Sequence, residues 1–170
     1  MLDGKVSLVT AAGGGIAGAI ARRFAAEGAK VCCVDINERT VKETVSDIEK
    51  EGGAAIAKIC NVASETAVKA CVDETAAIFG KLEVVVNAAA ASEPLHTVAD
   101  MPIEVWQEVL DVNITGMFLI AKHAIPHMQV AGGGQFINIS STFGYIAWPQ
   151  RPAYMATKGA VRQLTKSIAL

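Results

Sequence analysis

The sequence predicts a doubly wound α/β domain built on a parallel sheet. Two observations carry this reading. Short β-branched runs alternate with longer helical patterns along the chain, and residues 82–87 carry the continuous apolar run Val84-Val85-Val86, as in a strand buried on both faces. Such alternation produces parallel strands joined by right-handed helical crossovers. No linker, internal repeat or low-complexity segment interrupts it, so residues 1–170 read as a single domain.

Each element has its own signal. Residues 5–10 form a first strand, and Ile16, Ile20 and Phe24 follow at helical spacing up to Gly28, a suitable helix stop. Residues 30–35 form the second strand. The next helix is expected to bury Val41, Val45 and Ile48 and to end at Gly52-Gly53. A third strand covers 54–60. Ser64 then caps a helix whose inner face carries Val68, Val72, Thr75 and Ile78 and which closes at Gly80. After the fourth strand, at 82–87, one long helix starts near residue 100, passes Trp106, Leu110 and Met117, and breaks near Pro126. Residues 135–140 form strand five, and a last helix runs from about Ala153 to the end of the chain.

Composition narrows the function classes. A hydrophobic share of 52% with 19% charged residues is that of a globular chain. The net charge of -2, without a basic block, gives no electrostatic footprint for nucleic acid or an anionic membrane. No apolar run approaches the roughly 20 residues that span a bilayer, and the opening leads straight into a strand without a leader pattern. Cys32, Cys33, Cys60 and Cys71 lack disulfide or metal spacing and read as small buried hydrophobes of a reducing, cytoplasmic protein, Cys32 and Cys33 on opposite faces of their strand. His123 and His127 have helical spacing but no third ligand, and read as a surface pair.

Chemistry concentrates at three places. Between the first strand and helix lies Thr10-Ala11-Ala12-Gly13-Gly14-Gly15-Ile16. A backbone approaches a diphosphate closely only where side chains are absent, and the helix N-terminus favours the phosphate charge. Asp35 ends the second strand, where a carboxylate accepts hydrogen bonds from an adenosine ribose and repels a 2′-phosphate. Ile36 and Asn37 follow it rather than a cation, so NAD is preferred, with Arg39 keeping NADP as the lesser alternative. Finally, Tyr154 and Lys158 lie one helical turn apart, and a lysine cation at that distance favours the phenolate. Ser141 follows strand five, at the edge of an open parallel sheet where ligands bind. Tyr145 and Trp148, between Ser141 and Tyr154, are candidates to line a substrate pocket, whereas Trp106, Met117 and Phe118 read as packing residues.

These ordered motifs resemble the short-chain dehydrogenase/reductase family along the chain. The TGxxxGxG turn is matched by residues 10–17, with Ala11 and Ala17 in place of two glycines. The NNAG segment is matched by Asn87-Ala88-Ala89-Ala90, the catalytic asparagine by Asn113, the serine by Ser141 and the YxxxK pair by Tyr154 and Lys158. The resemblance implies NAD-dependent interconversion of a secondary alcohol and a ketone. Tyr154 would be the general acid/base, Lys158 would assist it and hold the nicotinamide ribose, Ser141 would polarise the substrate oxygen, and Asn113 would hold a water in a proton relay. Thr10, Gly13, Gly14, Gly15, Ile16, Asp35, Asn61, Val62, Asn87 and Ala88 would join Tyr154 and Lys158 around the cofactor, with Asn61 at a position usually held by an aspartate. It further implies a homodimer or homotetramer joined through the helices near 100–129 and 153–170. Members of this family continue into two more strands, so the chain is expected to be C-terminally incomplete, with strand five an exposed edge. An NADP enzyme like 3-oxoacyl-carrier-protein reductase and a non-catalytic dinucleotide-binding fragment share these motifs.

Overall fold

A computed structural model describes residues 2–169. Five strands, β1 (Val6–Thr10), β2 (Lys30–Asp35), β3 (Ala54–Ile59), β4 (Val84–Asn87) and β5 (Gln135–Asn138), form one parallel sheet in the order β3-β2-β1-β4-β5. The chain moves outward from β1 to β3 on one side and then returns to place β4 on the other. The strand order therefore reverses between β1 and β4, and at the C-terminal edge of such a reversal a crevice opens.

The helices are α1 (Gly15–Ala26), α2 (Glu38–Lys50), α3 (Glu65–Phe79), α4 (Ile103–Leu110), α5 (Gly116–Val130) and α6 (Pro152–Ile168). Two cores lie on opposite faces of the sheet. One packs Val68 and Val72 of α3 and Leu119, Ile120 and Ala124 of α5 against Leu8, Cys32 and Val85. The other packs Ala17, Ala21 and Ala25 of α1 and Val41, Val45 and Ile48 of α2 against Val9, Val31 and Cys33. Adjacent Cys32 and Cys33 thus serve opposite faces, and all four cysteines are buried free thiols. Burial pushes the Cys33 thiol up to about 12, with Arg22 opposing.

Several boundaries follow the sequence closely. Ser64 accepts the Ala67 N–H as N-cap of α3, and Gly80, at φ 84°, closes that helix in the left-handed region. Other expectations are corrected. The buried face of α1 is the small-residue row Ala17, Gly18, Ala21 and Ala25, while Ile16 is 70% exposed. Ile20 and Phe24 pack partly buried against the same core, and at Gly18 a methyl would come within 3.3 Å of the Ala12 carbonyl oxygen in the turn. Ile78 of α3 likewise faces outward. The single helix expected after β4 is two helices joined by a π-helical segment, Asp111–Thr115, and α5 continues through Pro126 to Val130. Pro126 is exposed, so the Lys122 carbonyl that it leaves without a helical partner lies on the solvent side. β5 ends at Asn138 instead of residue 140 and pairs with β4 only, leaving it at the sheet edge.

Candidate active site

The glycine-rich turn lies between β1 and α1. A methyl at Gly13 would collide with the Thr40 hydroxyl and reach 2.8 Å from Asp35 Oδ2, so a larger residue here would have to displace both side chains. Gly13 donates its N–H to that same oxygen at 2.9 Å, and Asn37 donates its N–H to Asp35 Oδ1 at 2.9 Å. Asp35 thereby joins the turn to the end of β2 while each oxygen keeps a free lone pair. Side chains at Gly14 or Gly15 would meet nothing within 4 Å. The turn is an open, side-chain-free cradle, with exposed Ile16 in the first turn of α1.

A cleft of ≈ 220 Å³ adjoins the turn, lined by Ala11, Asp35, Asn61, Val62 and Ala89 among others. Asn61 accepts the Ala63 N–H on Oδ1 at 3.0 Å, leaving its Nδ2 protons without a protein partner among the described residues. A bare cradle, a carboxylate at the ribose end and an apolar slot beside it fit a nicotinamide dinucleotide. Arg39 is paired with Glu43 at 2.8 Å and does not approach Asp35 as a counter-charge.

Two expected cofactor residues have their side chains committed elsewhere. The buried Thr10 hydroxyl donates to the Val86 carbonyl at 3.3 Å and accepts the N–H groups of Ala88 and Ala89 at 2.9 and 3.1 Å. It fastens β1 to the segment after β4 and has no donor left for a ligand. Asn87 donates to Asn138 Oδ1 at 2.9 Å, and Asn138 donates in turn to the Thr165 hydroxyl at 2.9 Å. That ladder ties β4, β5 and α6 together along the sheet edge.

The reactive side chains gather where α6 crosses this edge. Lys158 is buried, donates to the Ile139 carbonyl at 2.8 Å and stands 5.5 Å from the centre of the Tyr154 ring. Burial alone holds its pKa below the ordinary lysine value. Ser141 caps a short 3₁₀ turn, Thr142–Gly144, and lines a second cleft of ≈ 390 Å³ together with Tyr154, Trp148 and Arg151. Phe143 stacks on Trp148 at 5.6 Å and meets Tyr154 edge-on at 6.3 Å. Tyr145 is instead turned outward against Arg162, 3.7 Å from its guanidinium carbon.

Asn113 sits in the π-helical segment, an arrangement common at functional sites. Its amide accepts the Ala91 N–H at 2.7 Å and donates to the Ala91 carbonyl at 2.9 Å and to Thr157 at 3.1 Å. Both amide protons are thus used, and Thr157 passes the link on to the Tyr154 carbonyl at 2.8 Å. The side chain holds α6 and the loop after β4; a relay water at Asn113 must be held by main-chain groups or by the remaining lone pair of Oδ1.

Sequence reasoning missed Glu93, Thr157, Asn138 and Arg151. Each acts through a tertiary contact, so no local spacing announces it; the one available signal was an acidic residue soon after the four alanines that follow β4. His123 and His127 of α5 face α3 instead, His127 with Asp73 at 2.8 Å and His123 near Glu65 at 3.4 Å. Among the described residues no helix is long and apolar enough to cross a membrane.

Fold and site together define a Rossmann-type domain with a nucleotide-shaped cradle at its topological switch point. Comparison with known proteins gives the family. The family model for short chain dehydrogenase matches residues 5–170, and the chain belongs to that family. An uncharacterized oxidoreductase of Thermotoga maritima is 36% identical over 170 residues, 100% of this chain and 66% of that protein. The D-threitol dehydrogenase of Mycolicibacterium smegmatis is 34% identical over 168 residues, 99% of this chain and 64% of that protein. A crystal structure described as NAD+-bound xylitol dehydrogenase superposes with a TM-score of 0.94 at 34% identity, covering 98% of this chain and 64% of that one. The chain thus spans 64% to 66% of the length of these relatives.

Proposed function

We propose that the protein is an NAD-dependent oxidoreductase that interconverts a secondary alcohol and a ketone. The observation that carries this reading is the buried Lys158 ammonium beside the Tyr154 ring, at a cleft shared with Ser141. Bound at the glycine cradle, the dinucleotide supplies the hydride for reduction or accepts it in oxidation. Reduction also needs one proton at the substrate oxygen, and the Tyr154 phenol donates it; oxidation returns it. Lys158 stabilises the phenolate left behind and would hold the nicotinamide ribose of a bound dinucleotide. The Ser141 hydroxyl orients and polarises the substrate oxygen, and Asn113 supports the proton relay through the main chain. Around the cofactor, Gly13, Gly14, Gly15 and Ile16 serve the diphosphate, Asp35 the ribose, and Asn61 and Val62 the adenine. Thr10, Asn87 and Ala88 would hold the edge of the sheet on the nicotinamide side of the site.

NAD is preferred because the Asp35 charge opposes a 2′-phosphate and Arg39 is already paired with Glu43. That preference also argues against a carrier-protein reductase using NADP. The relatives' names, oxidoreductase and polyol dehydrogenase, agree in class with a small alcohol or carbonyl substrate. We place the protein in the cytoplasm, consistent with its four free buried thiols. We also propose a homodimer or homotetramer through α4, α5 and α6, where Ile103 and Phe118 are exposed apolar side chains. The deciding experiment pairs turnover with NADH binding in Tyr154→Phe: turnover disappears while binding stays close to wild type. Turnover that survives the substitution refutes the assignment.

A further inference from the structure

The cleft beside Ser141 and Tyr154 contains a charge that the reaction itself does not need. Arg151 is the residue preceding α6, three positions before Tyr154, and both line the same cleft. Arg151 itself has non-helical backbone angles, φ -134° and ψ 45°, so it reaches the cleft from the segment entering the helix and not from a helix face. Arg151 Nη1 donates to Ser92 Oγ at 2.5 Å and to the Glu93 carbonyl oxygen at 2.6 Å. These bonds fix the guanidinium without neutralising it. The nearby Glu93 carboxylate is occupied by the Tyr154 main-chain N–H, and among the described residues no carboxylate comes within 4 Å of Arg151. Of the five guanidinium N–H donors, those on Nη2 and Nε have no partner among the described residues.

A fixed, unneutralised guanidinium in a cleft walled by Trp148 and Phe143 is suited to an anion of planar geometry, because its fork matches a carboxylate in a two-bond arrangement. We infer that Arg151 is a specificity-determining residue and that the substrate is a short hydroxy acid or its oxo acid, whose carboxylate binds Arg151 while its reacting oxygen lies at Tyr154. Because both residues line the same cleft of ≈ 390 Å³, the carboxylate must lie only a few bonds from the reacting carbon. The inference deepens the oxidoreductase reading and rests on it for turnover, but the anion site has its own readout.

The test compares 3-oxobutanoate with its methyl ester, the same carbonyl without the charge, in NADH-dependent reduction. Wild type is expected to favour the acid by at least roughly tenfold in kcat/KM. In Arg151→Gln the acid-to-ester ratio falls on the order of 100-fold, mainly through KM, with Arg151→Lys between them. A separate titration follows Trp148 fluorescence, with Trp148→Phe as the control for Trp106. The acid should quench it saturably, the ester should not, and Arg151→Gln should lose the effect. A wild-type ratio near one, a ratio unchanged in Arg151→Gln, or quenching indifferent to the charge overturns the inference, and the first and last of these need no variant to fold. Charge-dependent quenching without turnover of either compound supports the anion site and refutes the oxidoreductase reading instead.

Discussion

Glu93 receives the main-chain N–H of Tyr154 on both carboxylate oxygens, at 3.1 and 3.2 Å, and is itself only 3% exposed. The residue expected to handle the substrate proton is therefore anchored by an acid from the loop after β4, across the cleft and far away in sequence. A carboxylate at the first turn of a helix answers an otherwise unpaired N–H and complements the helix dipole. Arg151 binds the main chain of the same residue, so the start of α6 and the loop after β4 are fastened from both sides.

Removing that anchor should loosen the site before it unfolds the protein. Glu93→Ala leaves a buried N–H without an acceptor and is expected to cost about 1–3 kcal/mol. Glu93→Gln keeps an acceptor and should lose less. Urea unfolding of both variants gives the stabilities, and kcat for the same pair should fall in the same order. Equal stability of Glu93→Ala and wild type would show that the contact contributes nothing.

Asp35 is expected to govern cofactor choice and turn stability together, since its two oxygens accept from Gly13 and Asn37. Asparagine in its place has a single acceptor oxygen, so one of these bonds is lost, at about 1 kcal/mol. The same change removes the charge that opposes a 2′-phosphate. Titrations of Asp35→Asn with NADH and NADPH should show the affinity ratio moving toward NADPH by roughly tenfold or more. An unchanged ratio would mean that another group sets the preference.

Much of the fold could be read from the sequence because it depends on local periodicity. The strand runs, the inner row of α2 at Val41, Val45 and Ile48, the Ser64 cap and the Gly80 stop need no knowledge of distant residues. Asp35 and the Tyr154–Lys158 pair were legible for the same reason, being set by position within one element. What escaped was tertiary. The row that α1 buries most fully is alanine and glycine, with Ile20 and Phe24 at its flank and Ile16 turned outward, an orientation that periodicity alone did not settle. The π-helical turn at Asn113 is held by Ala91 and Thr157, neither a neighbour in sequence. The Thr10 hydroxyl is held by Val86 and Ala88 of the neighbouring strand β4 and the segment after it, a pairing that no local pattern in the sequence shows.

Ala11 has φ 57°, a backbone conformation that an L-residue enters at a cost of roughly 1–2 kcal/mol. Glycine there removes that strain but adds about 0.5–1 kcal/mol of unfolded-chain entropy, so Ala11→Gly should stabilise the protein by a few tenths to about 1 kcal/mol. Ala11→Val should destabilise it, since a branched β-carbon tolerates this region poorly. Thermal midpoints of the three proteins should rank glycine, alanine, valine. Any other order would mean that packing at the turn outweighs backbone strain.

Glu83 ties part of the protein's acid stability to one side chain. Its carboxylate is buried, which by itself raises the pKa, but Lys5 at 2.7 Å, Lys81 at 2.8 Å and the Val6 N–H at 3.2 Å outweigh that and hold it at about 2, against an ordinary value of 4.5. A depressed carboxylate contributes stability that is fully present above its unfolded pKa and is lost as pH falls through the folded one. Wild type should therefore be more stable than Glu83→Gln by the widest margin near neutrality. The margin should begin to shrink below about pH 4.5 and close near about pH 2, because protonation then makes the native residue as neutral as glutamine. Urea unfolding of both proteins across that range measures the margin directly. A margin independent of pH would mean that Glu83 acts by shape and hydrogen bonding alone, with no contribution from its charge.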